Sequence, residues 1–123
     1  MRIGFVGLGS MGAALARRLQ LTFPLQVYDL NADAVQRLVE KGATACASLA
    51  ELASRCDTVL LCLPTSDHVR TAIFGDNGLA AGLKAGTLVI DQTTGDPNAT
   101  RAMAEELAQR GVETIDEDAI GPE

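Results

Sequence analysis

Apolar residues gather in short runs along this chain, and each run is followed by a stretch where they recur at helical spacing. The first run, residues 2–6, reads as a strand. Met11, Leu15 and Leu19 then fall at i, i+4 and i+8, which predicts a helix from about Ser10 to Gln20 with those three on its inner face. A second strand covers residues 25–29. Asn31 is placed to cap a second helix with Val35, Leu38 and Val39 inward, and Gly42 to end it. A short strand fits near residues 43–46, and Ser48-Leu49-Ala50-Glu51 has the capping-box spacing of a brief third helix. The plainest strand is 58–63, closed by Pro64. A helix begins near Ser66, and Gly75-Asp76-Asn77-Gly78 is a turn. Another strand covers 87–91. Asp96-Pro97 supplies an N-cap and a first-turn proline for a helix to about Arg110, and residues 112–116 read as the last strand.

Strands alternating with helices require right-handed crossovers, hence a parallel sheet with helices on both faces. The expectation is a single α/β domain over residues 1–123, a doubly wound sheet of about six strands in the Rossmann arrangement. In such sheets ligands bind beyond the carboxyl ends of the strands. That edge would gather the glycines after strand one, Asp29, Leu63-Pro64-Thr65, Asp91-Gln92-Thr93-Thr94 and Asp116.

Gly7-Leu8-Gly9-Ser10-Met11-Gly12 opens directly from the first strand and runs into the first helix. Gly7 allows the tight turn, Gly9 lets a diphosphate approach without a Cβ in the way, and Gly12 lets helix and strand pack closely. The helix N-terminus then offers N–H groups and partial positive charge to an anion. All six residues are cofactor-binding candidates. Asp29 follows Gly12 by 17 residues (29 − 12). Its carboxylate suits ribose hydroxyls and repels a 2′-phosphate, so NAD is expected over NADP. The same residue also suits the start of the turn that Asn31 caps. Leu30 and Asn31 come next, and neither is an arginine able to grip a phosphate.

Leu63, Pro64 and Thr65 leave the fourth strand where backbone and hydroxyl can approach the dinucleotide, or simply turn the chain. Thr93 and Thr94 stand where paired hydroxyls meet a substrate carboxylate, or where Thr94 or Asp96 caps the next helix. His68, the only histidine, reads as a solvated or packing residue on a helix's first turn. Lys41 and Lys84 belong to the opposite edge of the sheet. No general acid–base for a hydroxy acid is evident.

Hydrophobic residues make up 47% of the chain and charged ones 21%, as in ordinary globular domains. A net charge of −6 with no basic cluster argues against a nucleic-acid partner. No apolar stretch is long enough to span a membrane, and no basic, apolar leader opens the chain, so the cytoplasm is the expected compartment. Cys46, Cys56 and Cys62 are an odd count without a C-x-x-C, as free thiols in a reducing compartment would be.

Gly4-Phe5-Val6-Gly7-Leu8-Gly9-Ser10-Met11-Gly12 resembles the N-terminal signature of the β-hydroxyacid dehydrogenases, the family of 3-hydroxyisobutyrate dehydrogenase, tartronate semialdehyde reductase and 6-phosphogluconate dehydrogenase. The resemblance continues through Leu63-Pro64, Ser66-Asp67-His68-Val69, Gly75-Asp76-Asn77-Gly78 and Asp91-Gln92-Thr93-Thr94 with Pro97. It implies reversible oxidation of a short β-hydroxy acid with NAD. It further implies that Thr93 meets the substrate carboxylate, that Thr94 touches the cofactor, and that Asp29 is the acid of NAD-using members. The family's catalytic lysine belongs to an all-helical domain that follows. No position here matches it, so the chain is expected to lack that domain and to be inactive alone. Relatives continue with Asp-Ala-Pro-Val-Ser-Gly-Gly; here Asp116 and Gly121 fit, and Ile120 replaces a substrate-contacting serine. The alternatives are an imine-reductase-like enzyme and a nucleotide-binding module without catalysis. Without that helical domain its docking face is expected to be more apolar than ordinary surface, and the isolated domain to self-associate.

Overall fold

The computed structural model describes residues 1–93 and 95–116. Six strands make one sheet: β1 (Ile3–Val6), β2 (Leu25–Tyr28), β3 (Thr44–Ala45), β4 (Thr58–Leu61), β5 (Leu88–Asp91) and β6 (Glu113–Asp116). Their order is β3-β2-β1-β4-β5-β6, and every pair is parallel. The chain therefore builds outward from β1 to one edge, returns, and builds to the other. This is the expected doubly wound α/β arrangement. Five helices fill the crossovers: α1 (Ser10–Gln20), α2 (Ala32–Val39), α3 (Leu49–Arg55), α4 (Ser66–Phe74) and α5 (Pro97–Ala108). A 3-10 turn at Leu79–Ala81 is the one element absent from the sequence reading, being too short to show a period.

Strand side chains alternate, so the sheet supports two cores. Ile3 and Phe5 of β1 join Leu25 and Val27 of β2 beneath Ala16, Ala34 and Leu38 of α1 and α2. Val6, Val59, Leu61 and Val89 face the other way, under Leu52, Val69, Ile73, Met103 and Leu107 of α3, α4 and α5. Each large side chain so buried contributes about 1.5–3 kcal/mol.

The periodicity misplaced one residue of α1. Its buried positions are Gly12 and Ala16, with Leu15 and Leu19 partly buried, whereas Met11 is 67% exposed. The helix lies so close to the sheet that small residues fill the contact, and Met11 is turned outward at the helix start. In α2, Leu38 is buried as expected, but Ala34 joins it while Val35 and Val39 are only partly covered. β4 ends at Leu61 and α5 at Ala108, each two residues before the expected boundary.

The capping residues behave as read. Asn31 Oδ1 accepts the Asp33 and Ala34 N–H groups at 3.0 and 3.2 Å. Ser48 Oγ accepts from Glu51 N–H at 3.1 Å, and Glu51 Oε1 reaches back to accept Ala47 N–H at 2.8 Å. Thr65 and Asp96 cap α4 and α5. Such a cap is worth about 1 kcal/mol. Helix α1 differs: it starts at Gly9 with no side-chain cap and no acidic residue in its first turn.

Candidate functional site

Parallel pairing in register brings the carboxyl ends of the strands to one line. Tyr28 pairs with Val6, Val6 with Leu61, Leu61 with Asp91, and Asp91 with Asp116. Above this line lies a groove of about 870 Å³, within the range of small-molecule sites. Gly7, Leu8, Gly9, Ser10, Met11, Gly12, Asp29, Leu30, Asn31, Leu63 and Pro64 all line it. Residues far apart in sequence thus meet at one cleft because the topology ends their strands together.

The loop glycines divide the work. Gly7 sits at φ 97°, a region that side chains disfavour, and a Cβ there would strike the Cys62 carbonyl. A Cβ on Gly12 would strike the Gly7 carbonyl, so the start of α1 can lie against β1 only without one. Gly9 has ordinary extended backbone (φ −66°, ψ −173°), and a Cβ on it would meet no atom within 4 Å. Its bareness serves open space beside the uncapped N–H groups of α1, the volume a diphosphate takes.

Asp29 starts the turn into α2 and also holds the glycine loop. Its Oδ1 accepts Asn31 N–H at 2.8 Å, starting the turn into α2, and its Oδ2 accepts Leu8 N–H at 2.5 Å. The carboxylate thereby fixes the glycine loop while lining the groove. A carboxylate oxygen has two acceptor sites, so each keeps one for a ligand hydroxyl. Asp67 and Asp76 also line the groove, and no lysine or arginine does among the described residues. Positive potential comes from the N-terminus of α1, whose N–H groups no side chain caps.

Thr65 and Thr93 do not line the groove, and Thr94 lies outside the described residues. Thr65 Oγ1 accepts His68 N–H at 3.3 Å and stands 2.7 Å from His68 Nδ1, so it caps α4 and orients the ring. Thr93 is buried; its Oγ1 accepts Leu63 N–H at 2.9 Å and its N–H donates to Asp91 Oδ1 at 2.8 Å. It ties the exit of β4 to the exit of β5. Ile120 and Gly121 lie outside the described residues.

His68 is exposed, as the sequence suggested, and it also bonds Thr65 and lines the groove. Tyr28, Leu49, Thr71, Ala72, Asp76 and Gln92 line it too. Only Gln92 carried a signal, through its place at the strand ends. Tyr28 comes from the end of β2, and the rest from α3, α4 and the turn after α4; α3 packs on β2, and Ala50 N–H donates to the Asn77 carbonyl at 3.0 Å, tying that turn to α3. Lys41 and Lys84 stand ahead of β3 and β5, at the amino edge, and neither lines the groove.

All three thiols are free. Cys62 lies on the groove floor, where burial, and then the negative charge of Asp91, push its thiol up. Burial raises Cys46 as well and takes Cys56 to about 11. These are unreactive thiols. No helix among the described residues is long and apolar enough to cross a membrane.

Comparison with known proteins agrees with this geometry. The family described as the NAD binding domain of 6-phosphogluconate dehydrogenase matches residues 2–121. The chain is 40% identical to 3-sulfolactaldehyde reductase of Escherichia coli K12 over 115 residues, covering 93% of this chain and 39% of that protein. It is 38% identical to L-threonate dehydrogenase of Cupriavidus necator over 120 residues, covering 97% of this chain and 40% of that one. Its fold is similar to the crystal structure of 3-hydroxyisobutyrate dehydrogenase from Salmonella typhimurium, with TM-score 0.85 and 30% identity over 93% of this chain and 40% of that one. The chain spans about two-fifths of the length of these relatives.

Proposed function

The chain belongs to the family of the NAD-binding domain of 6-phosphogluconate dehydrogenase, and from that premise we propose that it is the cofactor platform of an oxidoreductase acting on a short β-hydroxy acid. One observation carries this reading: a loop whose Gly9 leaves open space places the N-terminus of α1, which has no side-chain cap, beside a carboxylate that already holds the loop. The backbone of Gly7, Leu8, Gly9, Ser10, Met11 and Gly12 would hold the diphosphate of NAD. The free acceptor sites of Asp29 would take the adenosine ribose hydroxyls, with Leu30 and Asn31 alongside. Bound there, NAD supplies the hydride acceptor.

Leu63 and Pro64 form the wall at the nicotinamide end, and Thr93 sets their position through the Leu63 N–H. Thr93 accepts that bond with its oxygen, so its hydroxyl proton remains for a substrate carboxylate; a cofactor contact for Thr94 rests on the family resemblance alone. The substrate class rests on the relatives, a reductase of 3-sulfolactaldehyde and a dehydrogenase of L-threonate among them. With both lysines remote from the groove, the alcohol proton is in this reading exchanged by a group outside the chain.

Acidic lining on both sides of the groove favours NAD over NADP, because a 2′-phosphate would meet Asp29 without a compensating cation. Calorimetric titration of the chain with each cofactor tests the proposal. Tighter binding of NAD supports it, whereas preference for NADP or binding of neither overturns it. Purified chain alone should give no steady NADH from 3-hydroxy acids, and sustained turnover would overturn the remote-base reading. The protein is expected in the cytoplasm, without nucleic-acid or membrane partners, and self-association is to be read from its sedimentation.

A further inference from the structure

The turn Gly75-Asp76-Asn77-Gly78 is held more firmly than a connection between helices requires. Gly75 N–H donates to the Thr71 carbonyl at 2.9 Å and Gly78 N–H to the Gly75 carbonyl at 3.0 Å. Asn77 sits at φ 54°, and its carbonyl accepts Ala50 N–H from α3 at 3.0 Å. Gly78 is buried, with the carbonyls of Ala72, Ile73 and Gly75 all within 2.9 Å of where a Cβ would stand. This scaffold fixes one side chain on the groove, that of Asp76. Its carboxylate is exposed and has no hydrogen bond or ion pair among the described residues.

The turn also has a definite place along the groove. The start of α4 is tied to the N-cap of α5, where Ser66 Oγ accepts Asp96 N–H at 2.8 Å, whereas the turn after α4 is tied to α3, which packs on β2. Asp76 therefore lies toward the β2 side, the side of Asp29, and away from Leu63, Pro64 and Thr93. Leu30, 91% exposed, and Leu49 and Ala72 offer apolar surface at that same end. A planar base needs apolar contact for its faces and a polar partner for its edge.

We infer that Asp76 reads the base of the dinucleotide, accepting a hydrogen bond from the 6-amino group of adenine. A carboxylate only accepts, so it selects a base edge that donates and rejects one that carries a carbonyl. This assignment rests on the dinucleotide reading above and adds to it the identity of the base.

Nicotinamide hypoxanthine dinucleotide tests it, since it carries a carbonyl in place of that amine and moves the nearest base donor to the neighbouring N1–H. Affinities are measured by calorimetry for the wild-type chain, Asp76→Asn and, as a second groove acid, Asp67→Asn. Asp76→Asn changes an exposed side chain of the same shape, so folding is not at stake. The wild type should bind NAD about tenfold more tightly than the hypoxanthine analogue, the size of one hydrogen bond to a charged acceptor. Asp76→Asn, able to donate, should abolish that difference, and Asp67→Asn should keep it. Equal binding of both dinucleotides by the wild type overturns the assignment and leaves the dinucleotide site standing. A preference that survives Asp76→Asn also overturns it. Binding of neither compound removes the dinucleotide reading and this inference together.

Discussion

Alanine at Gly9 and alanine at Gly12 should give opposite phenotypes, although both change one hydrogen to a methyl in the same six-residue loop. At Gly12 the new carbon would collide with the Gly7 carbonyl, backbone that cannot turn aside. Overpacking of this kind costs about 1–3 kcal/mol, and helix propensity returns about 1 kcal/mol of it. The rigid obstacle puts the net loss near the upper end, about 2 kcal/mol, or about 8 °C in Tm for a domain of this size. At Gly9 the methyl meets nothing, and the backbone is already in a region open to alanine. Lower unfolded-state entropy adds about 0.4–1 kcal/mol, and the poorer N-cap removes a similar amount. The Tm of Gly9→Ala should therefore stay within about 2 °C of wild type, both effects being small. Its NAD affinity should fall roughly ten- to hundredfold, because the methyl fills the approach to the α1 N–H groups and displaces one or two charge-assisted bonds. Thermal denaturation and calorimetric titration of both variants read the two effects separately. If Gly9→Ala is destabilised as much as Gly12→Ala, or binds NAD like wild type, the assignment of roles within the loop is wrong.

Asp29→Asn should narrow the preference for NAD over NADP by about tenfold, through loss of charge at the ribose, as paired titrations would show. An unchanged ratio would assign selectivity elsewhere. Thr93→Val leaves the Leu63 N–H without its acceptor and should lower stability by about 1–3 kcal/mol, with Thr93→Ser restoring most of it in urea denaturation. A valine variant as stable as wild type would show that the link does not hold the two strand exits. Cys56 sets an alkaline limit. Its unfolded thiol ionises near 9.0 and its buried one near 11, so above 9.0 the unfolded chain sheds its proton first. Stability should fall as pH rises through that interval and level off beyond it. Cys56→Ala should flatten the decline in urea midpoints measured from pH 8 to 11, and an equally steep decline would count against burial as its cause.

Much of the fold and part of the groove were legible before the structure, because local rules wrote them. Alternation of strand and helix patterns fixed a parallel sheet, and a parallel sheet must end its strands at one edge. The glycine loop, Asp29 and Leu63-Pro64 each carry a local signature for that edge, and all line the groove. Where local chemistry was ambiguous, only packing chose. Met11 has the spacing of an inner-face residue, but the close approach of α1 leaves that face to Gly12 and Ala16 and turns Met11 out. Thr93 has the residue type for a ligand contact, and packing adds a second task that its type does not reveal, as acceptor of the Leu63 N–H. Thr71 and Ala72 have no local mark, and Asp76 shows only as part of a turn; that turn meets the groove where a bond between Ala50 and Asn77 ties it to α3. Backbone conformation depends on near neighbours in the chain, and the crossover rule restricts how successive strands can pair, so sequence alone determined the elements and the fold class. Which side chain fills a given point of the groove depends on how closely separate elements approach, and that distance exists only in the packed molecule.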